Sequence, residues 1–409
     1  MLIRTTLAVA TTLSLLAACQ STPPTGAANP AMAPVAQAWQ QGRLPDQASS
    51  TLAPVAGKLT ATPASEIPLQ SFKLPPGFKA EIWATGMPGA RAMARAENGK
   101  IYIGTRGIGR VYELTDNGSA RTSRVVVDKL VQPSGVAYGN GALYVMAIDK
   151  VLRFDGIANN PNAQPVDMTA AFQLPKEQHH NWKYIAFGPD GKLYVPFGAP
   201  CNICEPGQEY AQIRRYNADG SGMEVVARGV RNTQGFTWHP ETKEMWFTDH
   251  GRDWMGDDGP ADELNRMSKA GQNFGFPYCH AQGIIDRDFP RLNACEGVTL
   301  PVQTMGPHAA AMGVHFYTGS MFPAEYRNTV FVARKGSWNR TQKFGYDVIT
   351  VQTDAQGNNA RVRPFMTGFL DPSNDSFSGR PTYFLQMPDG ALLISDEQLG
   401  AIYRISYAK

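Results

Sequence analysis

The chain has 409 residues and sets 38 Lys and Arg against 35 Asp and Glu, a formal net charge of +3. With charge so nearly balanced, and with no lysine-rich run or basic helix, nucleic acid and bulk anionic membrane are excluded as main partners, so any cationic function has to be local. The length suits one large all-β unit as well as two smaller domains, and the repeats described below favour one.

Arg4 opens the chain, an apolar run follows from Leu7 to Ala18, and Leu16-Ala17-Ala18-Cys19 has the small residues that precede a cleavage site. This predicts a signal peptide over residues 1–18 and export. Cys19 resembles the cysteine of a bacterial lipobox, which makes it the expected lipidation site and mature N-terminus. Gln20 after it resembles the sorting pattern for the outer membrane, which places the protein on the periplasmic side. An ordinary signal peptide cleaved elsewhere is the alternative. From Ser21 to about Gln70 the chain is rich in Ala, Pro, Thr, Gln and Ser, a composition that cannot bury enough surface to fold alone, so residues 19–70 are expected to form a disordered tether.

Export also predicts disulfides among the four remaining cysteines, and the nearest pairings are Cys201 with Cys204 and Cys279 with Cys295. Glu205, not His, follows the first pair, which argues against covalent haem attachment. A redox-active dithiol is the alternative to a structural staple there.

Residues 71–409 carry one pattern six times: a short polar turn followed at once by an alternating apolar strand. The copies are Glu97-Asn98-Gly99 before Lys100–Ile103, Gly139-Asn140-Gly141 before Ala142–Val145, Gly188-Pro189-Asp190-Gly191 before Lys192–Val195, His239-Pro240-Glu241-Thr242 before Lys243–Phe247, the degenerate Pro323–Asn328 before Thr329–Phe331, and Met387-Pro388-Asp389-Gly390 before Ala391–Ile394. Asn-Gly and Asp-Gly supply the positive φ of tight hairpins, and a second short strand follows several copies, as at Val151–Phe154, Gln212–Tyr216 and Ala401–Ile405. Repeats of this period predict an all-β, six-bladed β-propeller, whereas a two-sheet sandwich predicts no such repetition.

In a propeller, polar residues at matched offsets before each turn converge on one face. Those residues are Arg91, Ser134, His180, Arg231 with Asn232 and Gln234, His308 and Arg380. Each alone could be a solvated loop residue; together they predict a cationic, histidine-bearing ring. Fixed guanidinium forks favour a ligand with several planar carboxylates, such as a tricarboxylate cofactor. A calcium-dependent lactonase propeller would need Glu, Asn and Asp oxygens at those places instead.

The chain resembles the glucose/sorbosone dehydrogenase family, the soluble sugar dehydrogenases that use pyrroloquinoline quinone (PQQ), from about Leu74 onward. The motifs are His180-Asn181-Trp182-Lys183-Tyr184, Arg231-Asn232-Thr233-Gln234-Gly235, Asp249-His250-Gly251-Arg252 leading to Asp262-Glu263-Leu264-Asn265, Gly336-Ser337-Trp338-Asn339-Arg340 and Ser378-Gly379-Arg380-Pro381. The resemblance implies oxidation of an aldose or a sorbosone-like sugar by hydride transfer to the quinone, with His180 as general base and His179 as its neighbour and rival. It implies cofactor contacts at Arg231, Asn232, His250, Lys335 (or Arg334) and Arg380, a calcium ion (Ca2+) on the carbonyls of Gly251 and Arg252, and an external electron acceptor, a cytochrome or a quinone. Asp257, Asp258 and Asp262 are candidates for further calcium. Ala199 stands where glucose-oxidising members carry an aspartate, and Thr382 where they carry a second quinone-binding arginine, a role Arg340 could fill. A non-enzymatic binding lipoprotein and a calcium-dependent lactonase are the competing readings.

Overall fold

Asn140 and Gly141 both take positive φ, 53° and 73°, as a two-residue turn must if it is to follow the twist of the strands it joins. They link Gly135–Gly139 to Ala142–Met146. The same antiparallel hairpin forms at the other five predicted turns. It joins Ala90–Arg95 to Ile101–Thr105, Ala186–Phe187 to Leu193–Phe197, Thr233–Trp238 to Met245–Asp249, Ala311–Phe316 to Val330–Arg334, and Pro381–Gln386 to Leu392–Asp396.

A third and a fourth strand extend each of these six hairpins, Gln272–Asn273 adds a short parallel fifth strand beside Glu224–Arg228, and the computed structural model is a six-bladed β-propeller. It describes residues 38–47, 49–118 and 120–408. The expected signal peptide and the lipidation site at Cys19 lie outside the described residues. Blades 1 to 5 follow in chain order over residues 90–127, 135–167, 186–228, 233–307 and 311–366. Blade 6 takes its three inner strands from residues 381–407, and its outermost strand is Phe78–Ala84, which pairs with Ala401–Tyr407 and so closes the ring with the start of the domain.

The core is divided into wedges between neighbouring blades. Tyr102, Val136, Leu143 and Val145 fill the space between blades 1 and 2. Trp246, Leu264, Val314 and Val332 do the same between blades 4 and 5, and Leu393, Ile402, Ile101 and Ile103 between blades 6 and 1. Each such side chain contributes about 1.5–3 kcal/mol by leaving water. At the axis the inner strands approach backbone to backbone: a Cβ on Gly235 would lie 2.5 Å from the Met312 carbonyl, and one on Gly313 2.7 Å from the Thr382 carbonyl. Only glycine permits that approach.

Residues 38–70 correct part of the tether expectation. From Ala38 onward the described chain lies against the propeller: Ile67 is buried in the core between blades 5 and 6, and the Thr62 amide donates to the Leu399 carbonyl at 3.0 Å. Low hydrophobicity prevents the segment from folding alone, but its few apolar residues can still bury against a surface that is already formed.

Candidate active site

The first two strands of a blade run antiparallel, so the residue before the first and the residue after the second lie at the same end. Arg231, Asn232 and Arg380 come from the first position. Arg106, His250, Lys335 and Glu397 follow the second strands of blades 1, 4, 5 and 6. Arg106, His180, Arg231, His250, Lys335 and Arg380 all line a single cavity of ≈ 380 Å³, together with His179, Asn232, Gly251 and His308. The structure thus brings together His180 and every predicted cofactor residue.

Arg231 is saturated by protein. Its Nε donates to the Asn202 carbonyl at 2.9 Å, Nη2 to Asn202 Oδ1 at 2.7 Å and to Asp253 Oδ2 at 2.9 Å, and Nη1 to the Gly251 carbonyl at 2.9 Å. Asn202 sits in the loop stapled by the Cys201–Cys204 disulfide, and the predicted Cys279–Cys295 disulfide is present as well. The Cys-x-x-Cys loop therefore serves as a bracket for the guanidinium. Asp249 fixes the backbone of the same motif, accepting from the Arg231 and Asn232 amides at 2.7 Å each.

In a second ionic centre three cations share one carboxylate. Arg91 Nε donates to Glu397 Oε2 at 2.8 Å, while Lys335 Nζ and Arg380 Nη1 lie 3.5 and 3.4 Å from Glu397 Oε1. Burial opposes ionisation of Glu397, but Arg91, Lys335 and Arg380 hold its carboxyl well below the usual range. Burial pushes the Lys335 amine well down, and Arg380, Arg91 and Arg106 push the same way. Arg106 has no ion-pair partner among the described residues; it lies over the Trp182 ring at 4.4 Å, donates to Gln132 Oε1 at 3.2 Å, and is lowered to about 10 by burial and by Arg91. The ring of positive charge is real, but it is interleaved with Asp253, Asp262 and Glu397, none of which stands at the matched offsets.

His180 is held at a φ of 51°, and its carbonyl and Cβ occupy the space where Gly198 lacks a side chain. Burial, His179, Arg231 and His250 all push its imidazole well below the ordinary value, so the ring is neutral near pH 7. His180 Nδ1 and His179 Nε2 are buried without hydrogen-bond partners among the described residues, and the two rings lie 3.9 Å apart. His250 differs: its Nε2 lies 2.8 Å from the Ala311 carbonyl and its Nδ1 3.1 Å from Asn232 Nδ2, so both nitrogens are taken up by protein. Burial lowers it to about 3. At His308 burial is outweighed by Asp253, and the imidazole is raised.

The predicted calcium ligands are the backbone carbonyls of Gly251 and Arg252, too few by themselves for an ion that takes six to eight oxygens; the Gly251 carbonyl accepts from Arg231 at 2.9 Å, and the Arg252 side chain is buried on Asp286 and Asp288 at 2.9 and 2.7 Å. The Asp257 carbonyl and the Asp258 carboxylate accept from Arg340, the Asp257 carboxylate accepts from the Thr341 amide at 3.0 Å, and Asp262 accepts from the amides of Gly251 and Ala311. Among the described residues no cluster of three or more His, Cys, Asp or Glu is suited to a metal.

Packing decides between Lys335 and Arg334, and it decides the place of the additional arginine. Arg334 pairs with Asp347 at 2.6 Å, so Lys335 is the residue that reaches the cavity. Thr382 is buried and bonded to Ser395, and Arg340 does not line the cavity; Arg106 is the additional arginine there. Arg106 and Glu397 escape notice when only the residues ahead of each turn are compared. One step past the second strand of each repeat finds both.

The profile of the family described as Glucose / Sorbosone dehydrogenase matches residues 167–368. An uncharacterised protein of Borreliella burgdorferi is 33% identical over 361 residues, covering 85% of this chain and 94% of its own. Among solved structures, the holo form of the pyranose dehydrogenase PQQ domain from Coprinopsis cinerea aligns with a TM-score of 0.68 at 17% identity, over 82% of this chain and 97% of that one. The PQQ-bound aldose sugar dehydrogenase from Streptomyces coelicolor aligns at 0.56 and 17%, over 82% and 100%. The calcium structure of the Trichoderma reesei carbohydrate-active enzyme of family AA12 aligns at 0.66 and 18%, over 82% and 97%. At such identities the structural likenesses speak for the fold, while the sequence matches decide kinship: the chain belongs to the glucose/sorbosone dehydrogenase family.

Proposed function

We propose that the cavity binds PQQ and oxidises a hydroxyl of an aldose or sorbosone-like sugar. The observation that carries this reading is the meeting of Arg106, Lys335 and Arg380, from three blades, with the neutral His180 imidazole on one cavity. A flat anion with three carboxylates fits that excess of fixed positive charge, since guanidinium forks keep their charge when desolvated. Arg106, Lys335 and Arg380 would hold it. When bound, the quinone would accept the substrate's carbon-bound hydrogen as hydride.

His180 takes the hydroxyl proton. Its imidazole lines the cavity and is held neutral by burial and by the surrounding cations, so a cavity-facing ring nitrogen can accept the proton. Arg231, locked by Asn202 and Asp253, keeps its orientation throughout and presents a fixed dipole beside the two histidines. Reoxidation falls to an external acceptor, and the N-terminal Cys19 would tether the protein on the periplasmic side.

The test is an absorbance titration with PQQ followed by dye-linked turnover on aldoses. His180→Ala is expected to leave the titration unchanged and to lower turnover by about 10²–10⁴-fold, the usual worth of a general base. Failure of PQQ to bind at micromolar concentration defeats the proposal.

A further inference from the structure

Trp39 and Trp338 line the cavity and pack with the buried Trp254, and Trp39 comes from outside the six blades. Trp39 stacks on Trp254 with ring centroids 6.1 Å apart and meets the Trp338 ring edge-on at 5.5 Å, while Trp254 Nε1 donates to the Trp39 carbonyl at 2.6 Å. Gln41 continues the attachment: its Oε1 accepts from the Asn202 amide at 3.0 Å, and its carbonyl from Asn202 Nδ2. The Gly42 carbonyl accepts from Arg287 at 2.8 Å. Farther along the same segment, Ala53, Pro54 and Val55 line the same cavity as Trp39, His179 and His180. The propeller thus supplies the floor and walls, and a strap from the N-terminal segment supplies a cover.

We propose that this strap is the roof of the substrate subsite and limits oxidisable substrates to single-ring sugars, with Trp39 as the specificity-determining residue. The inference rests on the sugar-oxidising reading of the site. A cavity of ≈ 380 Å³ lies at the small end of the roughly 300–1,000 Å³ typical of ligand sites. Once a flat tricarboxylate occupies part of it, the space beneath the strap takes one pyranose ring and no glycan chain. The strap's apolar lining residues, Trp39 and Val55, can pack on the C–H face of a sugar ring. Its link through Gln41 to Asn202, and from there to Arg231, ties the roof to the site's own bracket.

Trp39→Ala opens the roof, and Trp39→Phe retains a ring. Carbethoxylation of His179 and His180 in the protein without sugar, mapped by mass spectrometry, is expected to speed up roughly tenfold in Trp39→Ala and to return towards the parent rate in Trp39→Phe, because local cover controls reagent access. The ratio of kcat/KM for maltotriose to that for glucose is expected to rise about tenfold in Trp39→Ala, carried mainly by KM, with PQQ affinity changed by less than about threefold. An unchanged modification rate, or a ratio that stays fixed while both sugars turn over, overturns the roof. If neither protein oxidises any sugar, the functional reading falls and the substrate limit with it, while the modification rate still decides whether Trp39 covers the histidines.

Discussion

Two ionic centres contribute side chains to the cavity, and they are built on opposite principles. Around Arg231 one guanidinium meets a carboxylate and three amide or carbonyl oxygens at 2.7–2.9 Å, and burial of Asp253 is outweighed by Arg231 and His308, which hold its carboxyl at about 2. Around Glu397 a single carboxylate serves Arg91, Lys335 and Arg380 at up to 3.5 Å. The first centre has nothing left to offer a ligand. The second keeps positive charge unspent in a low-dielectric setting, which the protein tolerates at a cost an anion would relieve. The contrast separates an arginine held entirely by protein from the cations proposed to hold the cofactor, although both groups look alike in the sequence.

The largest expected effect breaks the saturated centre. Arg231→Ala leaves the buried Asp253 carboxylate with only His308, 3.8 Å away, as a charged partner and strips partners from Asn202 and Gly251, so urea denaturation should show a loss of about 3–5 kcal/mol. Lys335→Met is the sharper probe of the other centre. Removing one of three mutually repelling cations should leave the urea midpoint unchanged or raised, while affinity for PQQ falls about 10- to 100-fold, the worth of one or two hydrogen bonds to a charged group. If Lys335→Met unfolds the protein and Arg231→Ala does not, the contrast between the centres is wrong.

The most gradual effect concerns the acids behind Arg231. Burial, helped by Asp249 and Asp262, pushes Glu263 up to about 8. A carboxyl with a raised folded pKa holds its proton more tightly in the native state, so its contribution is fully present below the unfolded value and is lost as pH rises through about 8. Glu263→Gln keeps the neutral form, and Asn265 Oδ1, buried without a partner, can accept from the new amide. The variant should gain about 1 kcal/mol per pH unit relative to the parent between pH 5 and pH 8, measured as the difference in urea midpoints. Equal pH slopes for the two proteins would mean that Glu263 is ionised throughout.

Much of the fold is legible in the sequence, because local chemistry specifies it. Asn140-Gly141 and Asp389-Gly390 demand tight turns wherever they occur, the strands after them alternate by necessity, and six copies at blade spacing leave few ways to share a core. His180, Arg231 and Arg380 are legible for the same reason, since a repeat fixes which end of each hairpin a residue occupies. The two disulfide pairings follow from nearness in sequence together with the expectation of export. Tertiary structure alone decided the rest, because burial and partnership are properties of surfaces that meet only after folding. The polar composition before residue 70 could not disclose that Trp39 and Ile67 would find an existing surface to lie against. Nothing local to Glu397 announces three cations drawn from separate blades, and nothing in Asp249-His250-Gly251-Arg252 reveals that Arg231 would claim the Gly251 carbonyl while Arg252 turned away to Asp286.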